Sequence, residues 1–296
     1  MQQVSRRQFV GSSLTTAAVF TFAKGFPLGA DPLGLPMGFQ IYGLRDVAAK
    51  DLSGTLKQTA SIGYKAVELC SFHGYSKQGF RPLEDMKPAD IRKVVEDSDL
   101  RCESCHFNAR EWDDPVIDQT IEWARGVGLK FMILSMAKQK PVMTMDDWKQ
   151  NFELMNKYGE RVKKADMQFG YHTHGTEWKV IDGVMVFDEL LRSVDAKLVK
   201  GQLDMAGIVT NGVDPADYIG KHPGRFCSLH VKDIKKGQTG SGSLPVGQGD
   251  IDWKGVFTAA KVGGIKNYAV EMEVKPPVDP MEALKISAVY LHDLKV

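Results

Sequence analysis

Short apolar runs alternate with amphipathic segments along the chain from residue 37 to the C-terminus. Apolar runs of about four to eight residues are typical of buried strands, whereas the amphipathic segments repeat at the spacing of a helix. The strands that this pattern predicts cover residues 37–42, 66–70, 100–107, 130–135, 167–172, 198–204, 225–233 and 267–273. The predicted helices cover residues 52–62, 88–97, 114–127, 144–165, 184–194, 214–219, 253–262 and 280–294.

Eight strand–helix units follow one another without a linker between halves. Strands that alternate with helices form parallel sheets, and eight units in 296 residues favour a closed barrel. A doubly wound sheet is the alternative, and it would need a glycine-rich turn directly after an early strand. Gly247 and Gly249 follow a loop instead, ahead of a helix that Asp250 or Asp252 is expected to cap. We therefore predict an α/β fold, a single (β/α)8 TIM barrel over residues 31–296.

Composition and charge are those of an ordinary globular protein, with 43% apolar and 25% charged residues. The net charge is +1 and both signs are interspersed, whereas a nucleic-acid surface usually shows a strong basic excess. We expect a small-molecule substrate and no nucleic-acid partner. The sequence leaves the number of subunits open, and a homo-oligomer is compatible with it.

The N-terminus has the layout of an export signal. Arg6-Arg7 precede an apolar, small-residue stretch over residues 11–23, which is shorter than the roughly 20 residues of a membrane span. A charged start followed by a short apolar middle is typical of secretory signals, and the paired arginines resemble a twin-arginine signal. We expect residues 1–30 to be a leader outside the fold, cleaved after Ala23 or Ala30. The mature protein is then expected to be periplasmic or otherwise exported, without a membrane span.

We expect the four cysteines to form neither a metal site nor a disulfide framework. Cys102 and Cys105 have C-x2-C spacing, but Cys70 and Cys227 do not complete a four-sulfur zinc site with them. The close pair also lies on a predicted strand, where a three-residue offset points the side chains to opposite faces. Buried free thiols are the expected state.

Ligand-type side chains stand at the C-terminal ends of six of the eight predicted strands. In a (β/α)8 barrel these ends meet at one mouth, where active sites lie. His172 and His174 are two positions apart, so both project from the same face if the strand persists that far. Each residue alone is more often packing or an ion pair, but the shared placement argues for one site. The set is Glu68, His106, His172, His174, Asp204, His230, Lys232, Glu271 and Glu273.

Carboxylates and imidazoles without sulfur ligands suit Mn2+, Co2+, Zn2+ or Mg2+ and do not suit a structural zinc site. The imidazole content favours the first three ions over Mg2+, which prefers oxygen ligands. We expect one divalent metal ion as cofactor, with Mn2+ as the first choice.

These motifs together resemble those of the xylose-isomerase-like (β/α)8 barrels, often called sugar phosphate isomerase/epimerases. The resemblance runs from about Met37 to the C-terminus and is specific to the superfamily, though not to one reaction. It rests on residues 39–46, 67–69, 171–174, 203–204, 230–233, 247–253 and 270–273. The His-x-His sequence at 172–174 is similar to the inosose-dehydratase-like branch and to exported relatives that act on 3-keto-sugars and their glycosides.

The resemblance implies a divalent metal that is held by side chains from strands five to eight. Asp204, His230 and Glu271 match the ligands of the sixth, seventh and eighth strands. Many members carry a Glu at the end of strand five, where this chain has His172; Glu177 could fold back to supply a carboxylate instead. We favour His172 and keep Glu177 as the alternative. This departure matters because the fifth-strand Glu of the epimerases also moves the proton.

The resemblance further implies metal-assisted proton abstraction next to a sugar carbonyl. The metal is expected to stabilise an enediolate as a Lewis acid, while a base within hydrogen-bond reach removes the proton. Return of the proton gives isomerisation or epimerisation, our first expectation. Loss of a β-oxygen gives a lyase, dehydratase or hydrolase of keto-sugars or 3-keto-glycosides.

Roles follow for the residues at the mouth. The candidate bases are Glu177, His174, His106 and Glu271. Lys232 is expected to orient or protonate a substrate oxygen. The expected substrate contacts are Glu68, Tyr42, Trp178 and Glu273, with Phe107 as a further ring that could form a wall.

Two functions from other classes stay open. An endonuclease-IV-like phosphodiesterase shares this barrel but is expected to carry more metal ligands and a basic groove. A non-catalytic exported protein that binds sugar or metal would carry the same ligands without moving a proton. Exchange of solvent deuterium into the sugar separates an enzyme from such a binding protein.

Overall fold

Eight parallel strands close into a barrel in the computed structural model, which describes residues 32–238, 242–274 and 278–296. Each strand pairs with its neighbours in sequence, and the eighth pairs with the first. The (β/α)8 TIM barrel predicted from the sequence is therefore confirmed. The strands are β1 (Gly38–Gln40), β2 (Ala66–Cys70), β3 (Arg101–Phe107), β4 (Phe131–Leu134), β5 (Gln168–His172), β6 (Val199–Asp204), β7 (Phe226–Val231) and β8 (Asn267–Val270).

The barrel closes at a point where the two strands approach tightly. Gly38 and Phe39 of β1 align with Ala269 and Val270 of β8. A Cβ atom on Gly38 would lie 2.6 Å from the carbonyl oxygen of Tyr268. Because real Cβ atoms do not approach an oxygen so closely, this position requires a glycine.

Helices surround the barrel and pack their apolar faces against the strands. The α-helices span Arg45–Ala48, Leu52–Ser61, Pro88–Glu96, Val116–Val127, Met145–Lys164, Val186–Ser193, Met205–Thr210, Pro215–Lys221, Trp253–Gly263 and Pro280–Asp293. Short 3-10 turns cover Ile41–Leu44, Ser76–Gln78, Arg81–Leu83, Ala109–Trp112 and Thr176–Trp178. The core between the two layers contains large, fully buried rings such as Trp112, Trp148, Trp253, Tyr171 and Phe169.

Helix Met145–Lys164 shows why the predicted termini are accurate. The side chain of Thr144 accepts a hydrogen bond from the backbone N–H of Asp147, and the Asp147 carboxylate accepts one from the Thr144 N–H. This capping box satisfies two of the donors that a helix leaves unpaired at its start. Asp252, one of the two predicted caps, begins helix Trp253–Gly263 in a similar way.

Two local predictions were wrong or incomplete. The helix predicted over residues 184–194 begins only at Val186, because Val184–Met185 pairs with Val180–Ile181 in an antiparallel hairpin. Asp182 and Gly183 form its turn with positive φ angles of 52° and 80°, which suits a two-residue hairpin loop. Helix Met205–Thr210, directly after β6, was not predicted at all.

The four cysteines are free, as expected, with Cys70, Cys105 and Cys227 buried and Cys102 partly buried. No helix of the described ranges is long and apolar enough to cross a membrane. The predicted twin-arginine leader, residues 1–30, lies outside the described residues, so export stays a prediction.

The carboxylate of Asp233 ties the segment after β7 back to the barrel. It is fully buried and accepts hydrogen bonds from the backbone N–H groups of Ile234 (2.9 Å), Gly247 (2.8 Å) and Gly249 (3.0 Å). The indole Nε1–H of Trp253 donates a fourth at 3.0 Å. Four donors satisfy a charge that would otherwise be costly to bury.

We expect Asp233→Ala to lower the free energy of unfolding by at least about 3 kcal/mol, because four buried donors lose their acceptor. Urea denaturation followed by circular dichroism measures this change. Asp250→Asn is the matched control, since Asp250 lies in the same segment but is exposed and pairs with Lys235. Equal effects of the two substitutions would contradict the structural role of Asp233.

Candidate active site

Polar side chains from the C-terminal ends of the strands converge at one mouth of the barrel. Most of them are buried, although they carry charge or hydrogen-bonding groups. Residues two apart on a strand share a face, which explains why both Gln202 and Asp204 of β6 point inward. The converging residues are Glu68 of β2, His106 of β3, His172 of β5, Gln202 and Asp204 of β6, His230 of β7, and Lys232 and Glu271 just after β7 and β8.

An outer layer of this cluster has the composition of a metal site. One ligand atom from each of His172, Asp204 and Glu271 lies within 4.8 Å of the others. Nδ1 of His230 lies 3.1 Å from Oε2 of Glu271, which places the fourth expected ligand beside this group. Asp204 is held in position because its Oδ1 accepts a hydrogen bond from the Gly207 N–H at 3.1 Å. The structure thus brings together the four residues that the sequence proposed as metal ligands.

An inner layer lies below the ligands and is centred on the carboxylate of Glu68, which is 2% exposed. Its Oε1 accepts hydrogen bonds from Gln40 Nε2 at 2.9 Å and His230 Nε2 at 2.5 Å. Its Oε2 accepts from Gln202 Nε2 at 2.7 Å and from the Ser104 hydroxyl. Glu68 was expected to contact substrate, but these partners occupy both of its oxygens from within the barrel.

The charges of the two layers stabilise one another. Burial by itself raises the pKa of Glu68, but His106 and His230 outweigh it and hold that pKa well below the usual range. Burial likewise raises the pKa of Glu271, and Lys232 and His230 bring it well below the usual range. The pKa of His230 is raised to about 10, because Glu68 and Glu271 outweigh the opposing effect of burial.

His172 differs from His230 in its protonation. Burial lowers the pKa of His172 well below its usual range, and the neighbouring His230, His174 and His106 lower it further. Its ring centroid lies 4.4 Å from that of His230 and 4.8 Å from that of His106. A neutral imidazole is the form in which histidine binds a metal ion.

Lys232 brings a positive charge to the rim of the outer layer. Its Nζ lies 3.3 Å from Oε2 of Glu271 and 3.7 Å from Oδ2 of Asp204, and it also binds Glu273. Burial lowers the pKa of Lys232, but the surrounding carboxylates outweigh it and raise that pKa above its usual range. Lys232 therefore stays charged and acts as a hydrogen-bond donor.

The two fifth-strand candidates beside His172 have separate surroundings. The Glu177 carboxylate is buried, where it accepts hydrogen bonds from the Tyr171 hydroxyl and from the His174 backbone N–H at 3.0 Å. Both of its oxygens therefore have partners in the fifth-strand segment, whereas His172 offers a ligand atom within 4.8 Å of those of Asp204 and Glu271. The His174 ring meets the His172 ring edge-on at 4.6 Å. Its Nδ1 is buried and has no hydrogen-bond partner in the described part of the chain.

The aromatic rings expected at the substrate differ in their surroundings. Trp178 is 3% exposed and packs against Phe187 and Tyr218, which does not favour its predicted contact with substrate. Phe107 is fully buried in the same way. Tyr42 is partly exposed after β1, although the Arg45 guanidinium covers one face of its ring at 4.5 Å.

Gln202 is the functional candidate that sequence reasoning missed. It is fully buried at the centre of the inner layer, where its amide contacts His106, His172 and Glu68. A signal was present, because Gln202 precedes Asp204 by two positions and shares its inward face. His106, a candidate base, donates to this amide at 2.7 Å and lies 3.2 Å from Glu68, so it belongs to the inner layer.

A second buried carboxylate, Glu111, lies in the loop after β3 and outside the cluster. Its Oε2 accepts the Asn108 N–H at 2.7 Å, and its Oε1 accepts the Ser71 hydroxyl. Burial raises the pKa of Glu111 to about 7, although the hydrogen bonds from Ser71 and Asn108 oppose this rise. The folded protein therefore keeps this carboxyl partly protonated near neutral pH.

Comparisons with known proteins agree with this geometry. Residues 56–291 match the sequence model of a family described as xylose isomerase-like TIM barrel. An inosose dehydratase of Clostridium perfringens is 26% identical over 253 residues, which cover 72% of this chain and 82% of that protein. An inosose dehydratase of Clostridium tetani is 29% identical over 163 residues, 49% of this chain. That match spans about half of the relative, 52% of its length.

A solved structure shows the same similarity in three dimensions. The structure of a sugar phosphate isomerase/epimerase from Parabacteroides distasonis superimposes with a TM-score of 0.71 at 25% sequence identity. The superposition covers 88% of this chain and 96% of that chain. The similarity therefore extends over nearly the whole barrel.

We expect Glu111 to contribute a loss of stability as pH rises from about 4.5 to about 7. Over this range the folded protein holds a proton on Glu111 that the unfolded chain has released. Glu111→Gln removes the titration, keeps the hydrogen bond from the Asn108 N–H and turns an amide N–H toward the Ser71 hydroxyl, so it should remove up to about 3 kcal/mol of this loss. Urea denaturation at several pH values measures the effect.

Asp85→Asn is the matched control, since Asp85 is an exposed carboxylate in the loop after β2. This variant should follow the wild-type pH profile. A Glu111→Gln profile parallel to that of the wild type would show that Glu111 does not titrate in this window.

Proposed function

Because the chain belongs to the xylose isomerase-like TIM barrel family, we propose that it is a divalent-metal-dependent enzyme that removes a proton next to a sugar carbonyl. The observation that carries this proposal is the outer layer at the barrel mouth. His172, Asp204 and Glu271 each offer a ligand atom within 4.8 Å of the others, and all three are buried. His230 adds a ring nitrogen 3.1 Å from Glu271.

The chemistry of these donors fits a catalytic divalent ion. Two carboxylates and two imidazoles without sulfur suit Mn2+, Co2+ or Zn2+, as in catalytic sites that keep a position open for substrate. His172 is neutral and the carboxylates of Asp204 and Glu271 face it, so three donors are ready to bind a cation. When bound, such an ion supplies a Lewis acid that draws electrons from a carbonyl oxygen.

His174 is the base that we assign to the proton transfer. Its ring is fixed against His172, and its backbone N–H is held by Glu177. Its Nδ1 is buried and has no hydrogen-bond partner among the residues the structure describes. A base must lie within hydrogen-bond reach of the proton it takes, and a substrate bound at the outer layer would have the His174 ring close by, since that ring lies 4.6 Å from the His172 ring.

Lys232 and Glu273 bind and orient the sugar on the opposite side of the outer layer. The Lys232 ammonium already donates to Glu271 and Glu273, and it can redirect a hydrogen to a substrate oxygen. Carboxylates outnumber the lysine here, since Asp204 also lies within 3.7 Å of it. With a divalent ion in place these charges would balance, so the site offers a phosphate no excess of positive charge, which favours an uncharged keto-sugar over a phosphorylated one.

Loss of a β-oxygen is the second candidate outcome, and the fifth strand favours it. His172 stands where the family resemblance places a proton-moving Glu, and Glu177 is engaged by Tyr171 and the His174 backbone. No described carboxylate therefore takes the role that epimerases of the family give to this strand. The similarity to inosose dehydratases supports a dehydratase or lyase reaction.

We expect the enzyme to exchange solvent deuterium into the carbon next to the carbonyl of inosose, 3-keto-glucosides or simple ketoses, as measured by NMR in D2O. His174→Asn should slow this exchange at least about 100-fold, because it removes a general base. The variant should still bind Mn2+ with the wild-type affinity by calorimetry. His73→Asn, which changes an exposed histidine outside the cluster, should exchange at the wild-type rate.

Chelation and His230→Ala test the metal in the same assay. Both should abolish deuterium exchange, and unchanged exchange in both would overturn the metal-dependent mechanism. Product NMR separates the outcomes, since a sugar that keeps its formula indicates isomerisation and a lost hydroxyl or aglycone indicates elimination. Binding without any exchange would favour a sugar-binding protein, and cleavage of abasic DNA would favour a phosphodiesterase.

A further inference from the structure

Gln202 holds the two histidines of the cluster that lie on β3 and β5. Its Oε1 lies 2.7 Å from Nε2 of His106 and 2.9 Å from Nδ1 of His172. The side chain is fully buried, two positions before Asp204 on the inward face of β6. One amide oxygen therefore contacts a ring nitrogen from each of two other strands.

The orientation of the Gln202 amide follows from its remaining partners. Its Nε2 lies 2.7 Å from Oε2 of Glu68 and 3.3 Å from the Ser228 hydroxyl. A carboxylate can only accept hydrogen bonds, so the amide must turn its N–H groups toward Glu68. The reversed amide would place its oxygen against the carboxylate and its N–H groups against both rings. The acceptor oxygen therefore faces the histidines, and each of them must donate to it.

This requirement fixes the tautomer of His172. A neutral imidazole carries one hydrogen, and the contact with Gln202 demands it on Nδ1. Nε2 is then the only ring nitrogen of His172 with a lone pair for a ligand. In metal sites, partners that hold the second ring nitrogen of a histidine orient the ring and strengthen the ligand.

We propose that Gln202 is a positioning residue that holds His172 in the Nδ1–H tautomer, so that Nε2 is presented to a metal ion with Asp204 and Glu271. The assignment rests on the metal-dependent function proposed above, and it adds a residue that acts through another side chain. Glu68 orients the Gln202 amide, and it holds Nε2 of His230 in the same way that Gln202 holds Nδ1 of His172. Nδ1 of His230 is thereby left facing Glu271.

The same contacts argue against a metal site in the inner layer. His106, His172 and His230 also bring ligand atoms within 4.8 Å of one another. However, the hydrogen bonds to Gln202 and Glu68 use Nε2 of His106, Nδ1 of His172 and Nε2 of His230. A cation among these three rings would have to displace this network, whereas Nε2 of His172 takes no part in it.

The tautomer is measured directly by long-range 1H–15N correlation NMR of the metal-free protein, with the His172 signals identified by their loss in His172→Gln. We expect the wild-type ring to show the Nδ1–H pattern. Gln202→Leu removes the acceptor at similar volume, so it should shift His172 toward the other tautomer and weaken Mn2+ binding by about 10- to 100-fold in calorimetry. Gln202→Glu can keep this arrangement as a neutral acid, whose O–H donates to Glu68 while its carbonyl oxygen accepts from His172, and should recover the Nδ1–H pattern.

Ser228→Ala is the matched control, since it removes only the 3.3 Å contact to the Gln202 amide and leaves Glu68 to orient it. This variant should keep the wild-type tautomer and bind Mn2+ within about twofold of the wild type. Any of three results would overturn the proposal. The wild-type His172 ring could carry its hydrogen on Nε2, Gln202→Leu could leave the tautomer unchanged, or Ser228→Ala could weaken Mn2+ binding as much as Gln202→Leu does. If Gln202→Leu does not fold, the wild-type and Gln202→Glu spectra still decide it.

The outcome is separable from that of the proposed function. The NMR and calorimetric readouts require no substrate, so they test Gln202 even if no keto-sugar exchanges deuterium. If deuterium exchange occurs but the tautomer of His172 does not change when residue 202 is substituted, only the positioning role is refuted. A confirmed tautomer without deuterium exchange would refute the proposed reaction alone.

Discussion

The carboxylate of Glu68 is the group around which the site is built. A charge buried inside a barrel is costly unless several donors surround it, and each donor must then be held at a fixed place. Here the donors come from several strands: Gln40, Ser104, Gln202 and His230, with His106 also within 3.2 Å. Satisfying this one charge therefore fixes the relative positions of the strand ends. The relative positions of the outer-layer side chains depend on that arrangement.

Much of the fold follows from the sequence because the barrel imposes a regular pattern. Buried parallel strands need continuous apolar runs, and all eight were predicted near their observed positions. Helix starts were accurate where a side chain caps the backbone, as Thr144 does for its helix. The hairpin at residues 180–185 was missed although Asp182-Gly183 is a typical hairpin turn. Its strands have only two residues each, too short for an alternating pattern to be recognised.

The sequence predicted the convergence of those residues whose positions follow directly from the end of a strand. His172, Asp204, His230 and Glu271 converge because they occupy equivalent positions on consecutive strands. Residues beyond the strand ends depend on how the chain turns, which periodicity does not encode; Glu177 and Trp178 therefore turned out to face other partners. Gln202 escaped notice because carboxylates and imidazoles are the usual oxygen and nitrogen ligands of Mn2+, Co2+ and Zn2+, and amides are not. Its role depends on contacts with β2, β3 and β5 that exist only after the barrel closes.

The hydrogen bonds of Asp233 have a consequence for how such a protein can evolve. The segment that begins at Ile234 leaves the barrel and returns at Gly247 to the same carboxylate. Because both ends are fastened at one point, the entropy of closing the segment changes only slowly with its length. Insertions and deletions ahead of Ser243, which bonds to the backbone of Glu273, would leave the strands and the cluster in place. The rim of the mouth can thus change its shape while the side chains beneath it keep their positions.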